Sequence, residues 1–303
     1  MGIVLVHGGV ETPTSAKYMD GVRGAALCGY NALSKGVLDA AEQAVNSLED
    51  NPVFSAGTGS VLNATGEAEM DAAIMDGESG RCAAVAAIRM VRNPVSVARR
   101  VMEKTGYVLL AGDGAVEFAR DEWFPPYNPV TEEQYKAWVK GRKAQAAGNT
   151  SGFHTYLGLP MDTVGGLVCH RGRMAAASST GGMFLKHPGR VGDTPVIGAG
   201  LYASKAGAAA CTGHGERFIE CTGAARAIWL LEQGASVEEA AKAVLERISA
   251  AGSVGGILVI DAKGRYTAMH NGRSMPVAVV VNGKPVDEFQ AEKVTFHKKK
   301  GKK

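Results

Sequence analysis

The chain has 303 residues, 46% hydrophobic and 21% charged, a size and composition suited to one well-buried globular unit. Its 33 Lys+Arg against 30 Asp+Glu leave a net charge of +3, and five of the cations are Lys298, Lys299, Lys300, Lys302 and Lys303, so the body is nearly neutral. This excludes a basic folded face for nucleic acid or an anionic membrane surface, and it reads the segment from about 292 to 303 as a solvated, disordered basic tail.

In chain order, Gly2–His7 is a short apolar run closed by Gly8-Gly9 and reads as a buried strand. From Ala16 to about Leu33 and from Val37 to about Leu48, small and apolar residues recur at helical spacing, with Gly36 between them and Asn51-Pro52 ending the second. Gly57 to Asp76 holds paired β-like runs, and Val95 to Lys104 reads as a helix after Asn93-Pro94. From about Glu122 to residue 162 the chain is polar, Pro-rich at its start and without a steady apolar face, which predicts a surface linker with room for one exposed helix. Thr163–Cys169, Arg173–Thr180 and Gly207–Gly213 read as strands. Glu216 to Glu232 reads as a helix ending at Gly234, and Ser236-x-x-Glu239 as the capping box of another. Gly255–Asp261, Arg265–His270 and Pro276–Val281 are closing strands with turns at Lys263-Gly264 and Asn282-Gly283. Strands and helices come in blocks without regular alternation, which favours antiparallel sheets with helices layered outside. The 40 glycines call for many turns and close backbone approaches.

No apolar run reaches the roughly 20 residues that span a bilayer, and the start of the chain lacks the basic region of a signal peptide. The five cysteines, Cys28, Cys82, Cys169, Cys211 and Cys221, form no C-x-x-C pair and read as reduced thiols of a cytoplasmic protein. There is no phosphate-binding G-x-x-x-x-G-K-[ST], no H-E-x-x-H, no G-x-S-x-G, and the seven histidines are scattered.

What remains is a dense stretch: Asp162-Thr163-Val164-Gly165-Gly166, Ser179-Thr180-Gly181-Gly182, Pro188-Gly189-Arg190-Val191-Gly192-Asp193 and Cys211-Thr212-Gly213-His214-Gly215-Glu216. Singly, each has an ordinary reading: threonine is a normal strand residue, Arg190 with Asp193 makes a surface ion pair, and Thr-Gly ends many strands. Their order and spacing resemble the plant-type asparaginase and isoaspartyl peptidase family of N-terminal-nucleophile hydrolases. His7-Gly8-Gly9, Gly57-Thr58-Gly59-Ser60-Val61-Leu62, Glu69-Met70-Asp71-Ala72, Ile74-Met75-Asp76-Gly77 and Asn93-Pro94 before Val101-Met102-Glu103-Lys104 extend the match.

The resemblance implies an α+β fold, a four-layer αββα sandwich with two stacked antiparallel sheets between helical layers. It implies one folded domain that cuts itself between Asp162 and Thr163 into an α subunit (1–162) and a β subunit (163–303), assembled as an (αβ)2 homo-oligomer. Thr163 matches the nucleophile and Thr180 the second threonine that hydrogen-bonds it. Arg190 and Asp193 match the pair that grips the substrate's α-carboxylate and α-amino groups, and Thr212 with Gly213 matches the oxyanion hole. The chemistry suits this assignment, because an N-terminal threonine carries its own base: an α-amino group has a pKa of about 7.7–8.0 and accepts the hydroxyl proton when neutral. The implied substrates are small molecules, β-aspartyl dipeptides and L-asparagine, with no cofactor for catalysis. A loop matching one that holds a structural sodium ion offers the backbone carbonyls of Leu48, Glu49, Asn51, Phe54, Ala56 and Thr58.

Three departures touch the site. Ser55 stands where the family usually has an asparagine that supports the nucleophile, Val10 replaces a glycine of the N-terminal loop, and the turn at Cys169–Arg173 is one residue shorter. A threonine endopeptidase shares Asp162-Thr163-Val164-Gly165 and Lys186–Gly192; glycosylasparaginase relatives tend to have asparagine where Gly181 stands; a non-catalytic homologue is favoured by Ser55 and Val10. Gly181 and Asp193 favour the asparaginase and isoaspartyl peptidase branch.

Overall fold

The computed structural model describes residues 1–147 and 163–296. Gly2–His7 forms strand β1, buried at every position. Helices α1 (Ala16–Ala32) and α2 (Val37–Glu49) follow, then strands β2 (Met70–Asp76) and β3 (Cys82–Ile88), helix α3 (Pro94–Lys104), strand β4 (Leu109–Ala111) and helices α4 (Gly112–Asp121) and α5 (Glu132–Ala146). The second half contributes β5 (Thr163–His170), β6 (Arg173–Thr180), β7 (Leu201–Ala203), β8 (Gly207–Gly213), α6 (Gly215–Cys221), α7 (Gly223–Glu232), α8 (Val237–Ala250), β9 (Gly255–Asp261), β10 (Tyr266–His270), β11 (Val277–Val281), β12 (Lys284–Pro285) and β13 (Glu292–Lys293).

These strands make an eight-stranded sheet ordered β12-β11-β1-β5-β6-β2-β3-β4 and a five-stranded sheet ordered β13-β10-β9-β8-β7. Side-chain alternation divides the core into three layers. From β1, Val4 and Val6 pack with α1, α2 and α3 on the outer face of the larger sheet, while Ile3 and Leu5 turn inward between the sheets. The outer face of the smaller sheet, with Cys211, Ile257 and Val259, is covered by α7 and α8 through Ala227, Ile228, Val244 and Ile248. The architecture is therefore the expected αββα sandwich. The small inter-sheet side chains, Ala73, Ala176, Ala208 and Ala210 among them, allow the two sheets to lie close.

Local chemistry accounts for most boundaries. Pro94 opens α3 where its missing N–H costs nothing, and the Ser236–Glu239 capping box opens α8. Arg171 (φ 52°) and Gly172 (φ 77°) close the β5–β6 hairpin in two residues, so the shortened turn keeps the strand register intact.

Several expectations change. Gly57–Asp76 does not pair with itself: only Met70–Asp76 is a strand, and its hairpin partner is β3, because residues 57–69 are spent on turns. The helix expected over 216–232 breaks at Thr222, whose φ of 48° ends α6 and starts α7. Both sheets are antiparallel except at one edge each, where β3 with β4 and β10 with β13 run parallel. The tail does not begin at 292, since β13 pairs with β10 and Val294 is buried; residues 297–303 lie outside the described residues. Of the predicted linker, residues 148–162 lie outside the described residues; α5 is the expected exposed helix, buried only at Gln134 and Gly141, and it is anchored along that side. The Trp138 indole donates to the Asn63 carbonyl at 3.0 Å, and Phe184 and Leu185 pack near Gly141. Among the described residues no helix is long and apolar enough to cross a membrane.

Candidate active site

Thr163 is the first residue of β5 and lies directly across from Thr180, the last of β6. Both are almost fully buried, and the Thr163 hydroxyl lies 3.4 Å from the Thr180 hydroxyl, whose other side accepts the Gly182 N–H at 2.9 Å. Thr212 and Gly213 end β8 in the facing sheet. The Thr212 hydroxyl points at the Thr163 carbonyl across 3.5 Å and accepts the Val10 N–H at 3.2 Å. The three predicted threonines thus meet where the ends of two sheets converge. Asp162 lies outside the described residues.

The glycines here are needed for close approach. A Cβ at Gly165 would fall 2.5 Å from Nε2 of His7, its cross-strand neighbour, and one at Gly181 would fall 2.7 Å from the Ser60 Cβ and 2.9 Å from the Ser55 hydroxyl. His7 is fully buried between the sheets, with its ring beside the Thr163 backbone. Burial pushes its pKa down to about 3, against the pull of the Thr163 backbone beside it. The Ser55 carbonyl accepts the Gly181 N–H at 2.6 Å, while its hydroxyl accepts the Val61 N–H at 3.1 Å. Val10 keeps ordinary backbone geometry, because the left-handed conformations of this loop fall on Gly9 (φ 98°) and Glu11 (φ 69°).

Arg190 and Asp193 come from the loop between β6 and β7, and they are neighbours without forming an ion pair with each other. The Arg190 fork is held by Glu216, at the start of α6, through two hydrogen bonds of 3.0 Å. Burial alone would raise the Glu216 pKa, but Arg190 overrides it and holds the carboxylate below its usual range. Asp193 is 3% exposed, and its Oδ2 has no partner. Burial raises its pKa to about 7, with a main-chain hydrogen bond and Arg190 pulling the other way. Gly215 leaves room where the two meet: a Cβ there would lie 2.8 Å from Asp193 Oδ1 and 3.1 Å from Arg190 Nη2. The sequence assigns Glu216 no role; its one local signal is a carboxylate three residues after Gly213, and its partner Arg190 lies 26 residues away.

The family model for asparaginase matches residues 2–288. The chain belongs to the asparaginase family. It is 42% identical to a plant-type L-asparaginase of Pyrococcus abyssi over 93% of this chain and 97% of the relative. It is 42% identical to the plant-type L-asparaginase of Thermococcus kodakarensis over 96% and 99%. It is 41% identical to the isoaspartyl peptidase/L-asparaginase of Mus musculus over 93% and 89%.

The 48–58 loop gathers main-chain oxygens around two left-handed glycines. A Cβ at Gly59 would fall 2.6 Å from the Pro52 oxygen and 3.0 Å from that of Phe54, and one at Gly57 2.6 Å from that of Glu49. The Leu48, Glu49 and Asn51 carbonyls each accept a backbone N–H, which leaves each a second lone pair. Carbonyl oxygens are the donors that a hard cation takes. Among the described residues no cluster of His, Cys, Asp or Glu could hold a metal ion.

Proposed function

We propose that this chain is a self-processing threonine hydrolase that cleaves β-aspartyl dipeptides and the side-chain amide of L-asparagine. The observation that carries the reading is the meeting of Thr163, at the start of a strand, with Thr180 and with Thr212 of the facing sheet. Cleavage of the 162–163 bond would divide the chain into fragments 1–162 and 163–303 and free the Thr163 α-amine.

The Thr163 hydroxyl then adds to the substrate's side-chain carbonyl and passes its proton to that amine. The Thr212 hydroxyl and the Gly213 N–H stabilise the oxyanion, a contribution worth about 10²–10³ in rate per donor. The C–N bond breaks as the leaving amine or ammonia takes the proton from the α-ammonium. Water then adds to the ester, and aspartate leaves with the hydroxyl restored. Arg190 binds the substrate's α-carboxylate and Asp193 accepts from its α-ammonium, with Glu216 orienting Arg190. Gly181 supports this branch over a glycosylasparaginase-like one, because a side chain there would strike Ser55 and Ser60. The ordinary backbone of Val10 and the Ser55 carbonyl's hydrogen bond to Gly181 weigh against a non-catalytic reading.

The test is intact mass spectrometry of the purified protein together with its Thr163→Ala variant. Two fragments with Thr163 as a free N-terminus, and a single inactive chain for the variant, are expected. Cleavage of the variant at the same bond would overturn the nucleophile assignment. The reading includes a sodium ion held by carbonyls of the 48–58 loop, with a structural role and no part in the chemistry. Sodium chloride should then raise the melting temperature above that in choline chloride of equal strength; equal values would remove the ion.

A further inference from the structure

Glu69, which immediately precedes β2, and Asp71, the second residue of that strand, are both buried carboxylates. Such groups are costly to bury unless hydrogen-bonded and balanced by charge. Both conditions are met by the loop that carries Arg190 and Asp193. The Glu69 carboxylate accepts the Gly189 N–H with both oxygens, at 3.1 and 3.0 Å. The Asp71 carboxylate accepts the Gly192 N–H at 3.4 Å with one oxygen and the Ala87 N–H at 2.7 Å with the other. Gly189 immediately precedes Arg190, and Gly192 immediately precedes Asp193.

The positive charge comes from Lys186, 5% exposed, whose ammonium donates to the Glu69 carbonyl at 2.7 Å. It lies over Gly182, where a Cβ would approach Nζ to 2.7 Å. Burial pushes Asp71 up and Lys186 down, and the attraction between them opposes both shifts. Asp71 is also the register partner of Thr180, so the strand that grips the loop is aligned with the threonine beside the nucleophile.

We propose that Glu69, Asp71 and Lys186 are positioning residues for substrate recognition: the two carboxylates hold the amides just before Arg190 and Asp193, and Lys186 supplies their countercharge. The clamp sets the spacing between the groups that meet the α-carboxylate and the α-ammonium. Its elements come from opposite sides of the 162–163 bond, so the amino-terminal fragment would tune the specificity of a site whose reacting groups lie in the other. This inference rests on the assignment of Arg190 and Asp193 to substrate.

The experiment measures KM and kcat for a β-aspartyl dipeptide with the parent protein, Glu69→Ala and Glu69→Gln, and follows self-cleavage of each by mass. Loss of a hydrogen bond to a charged group predicts a KM raised about tenfold in Glu69→Ala with kcat within about threefold. Glu69→Gln keeps an acceptor oxygen and should recover most of that loss. Self-cleavage should proceed in both, since the proposed nucleophile and oxyanion donors are unchanged. If Glu69→Ala does not fold, Asp71→Asn, which keeps the size but offers a single acceptor oxygen, is judged by the same criteria. An unchanged KM, or a loss carried by kcat alone, would overturn the clamp while leaving the parent's activity standing. A parent protein that hydrolyses no such substrate would instead overturn the functional reading, and the clamp with it.

Discussion

On the proposed function, Asp193 is the residue whose charge bears most directly on binding. It is buried beside Arg190 with one oxygen unpartnered, and its pKa lies at about 7. A neutral carboxyl accepts poorly from an ammonium group, so the free site should be competent above that value and progressively disabled below it. Affinity for the product L-aspartate should therefore weaken as pH falls from 7 toward 5, by up to about tenfold per unit. Calorimetric titration of the processed protein measures this directly, and affinity that stays level over the same range would count against Asp193 as the ammonium acceptor. In the proposed mechanism catalysis adds a second protonation, that of the Thr163 amine, which would act on kcat. Product binding isolates the Asp193 contribution because no proton transfer from the nucleophile is involved.

At the scale of elements, legibility follows how local the determining interaction is. Strands β1, β5, β6, β8, β9 and β11 were readable because apolar runs are bounded by glycine turns, and the Asn282-Gly283 turn has left-handed geometry at both positions, φ 50° and 81°. Asn282 does more than turn the chain, since its side chain accepts the Gly2 N–H at 2.9 Å and ties the hairpin to β1. Short edge strands such as β4 and β13 carry little pattern of their own; they exist because an already formed strand offers them hydrogen bonds. The break at Thr222 is also tertiary, for nothing in a threonine between Cys221 and Gly223 announces a left-handed residue. The threonines and Arg190 were legible through motif order. The grip of Glu216 on Arg190 and of Glu69 and Asp71 on the loop that carries Arg190 and Asp193 spans contacts 26, 120 and 121 residues apart, and no local signal encodes it.

For the whole molecule, burial sets two groups of titrations against each other. His7, His170, His214 and His270 are all lowered, chiefly by burial, so each favours the native state when neutral. A depressed histidine contributes stability that is present above its unfolded pKa of about 6.5 and lost as pH falls toward the folded value. Glu42, Asp71 and Asp193 are raised, again chiefly by burial, and their contribution is lost as pH rises through the folded pKa. Between about pH 4 and 6.5 the two groups oppose one another, and a flat stability profile would conceal both. His7 is the place to separate them, because it is fully buried between the sheets and its pKa lies at about 3. In a Thr163→Ala background, where the chain is expected to stay single, His7→Gln should flatten the acid side of the profile. Relative to that variant, the parent should lose up to about 1.4 kcal/mol per pH unit as pH falls from 6.5 toward 3. Urea denaturation of the pair at several pH values measures the difference. Parallel profiles would mean that the imidazole finds a proton-accepting partner in solution and that the inter-sheet layer tolerates its charge.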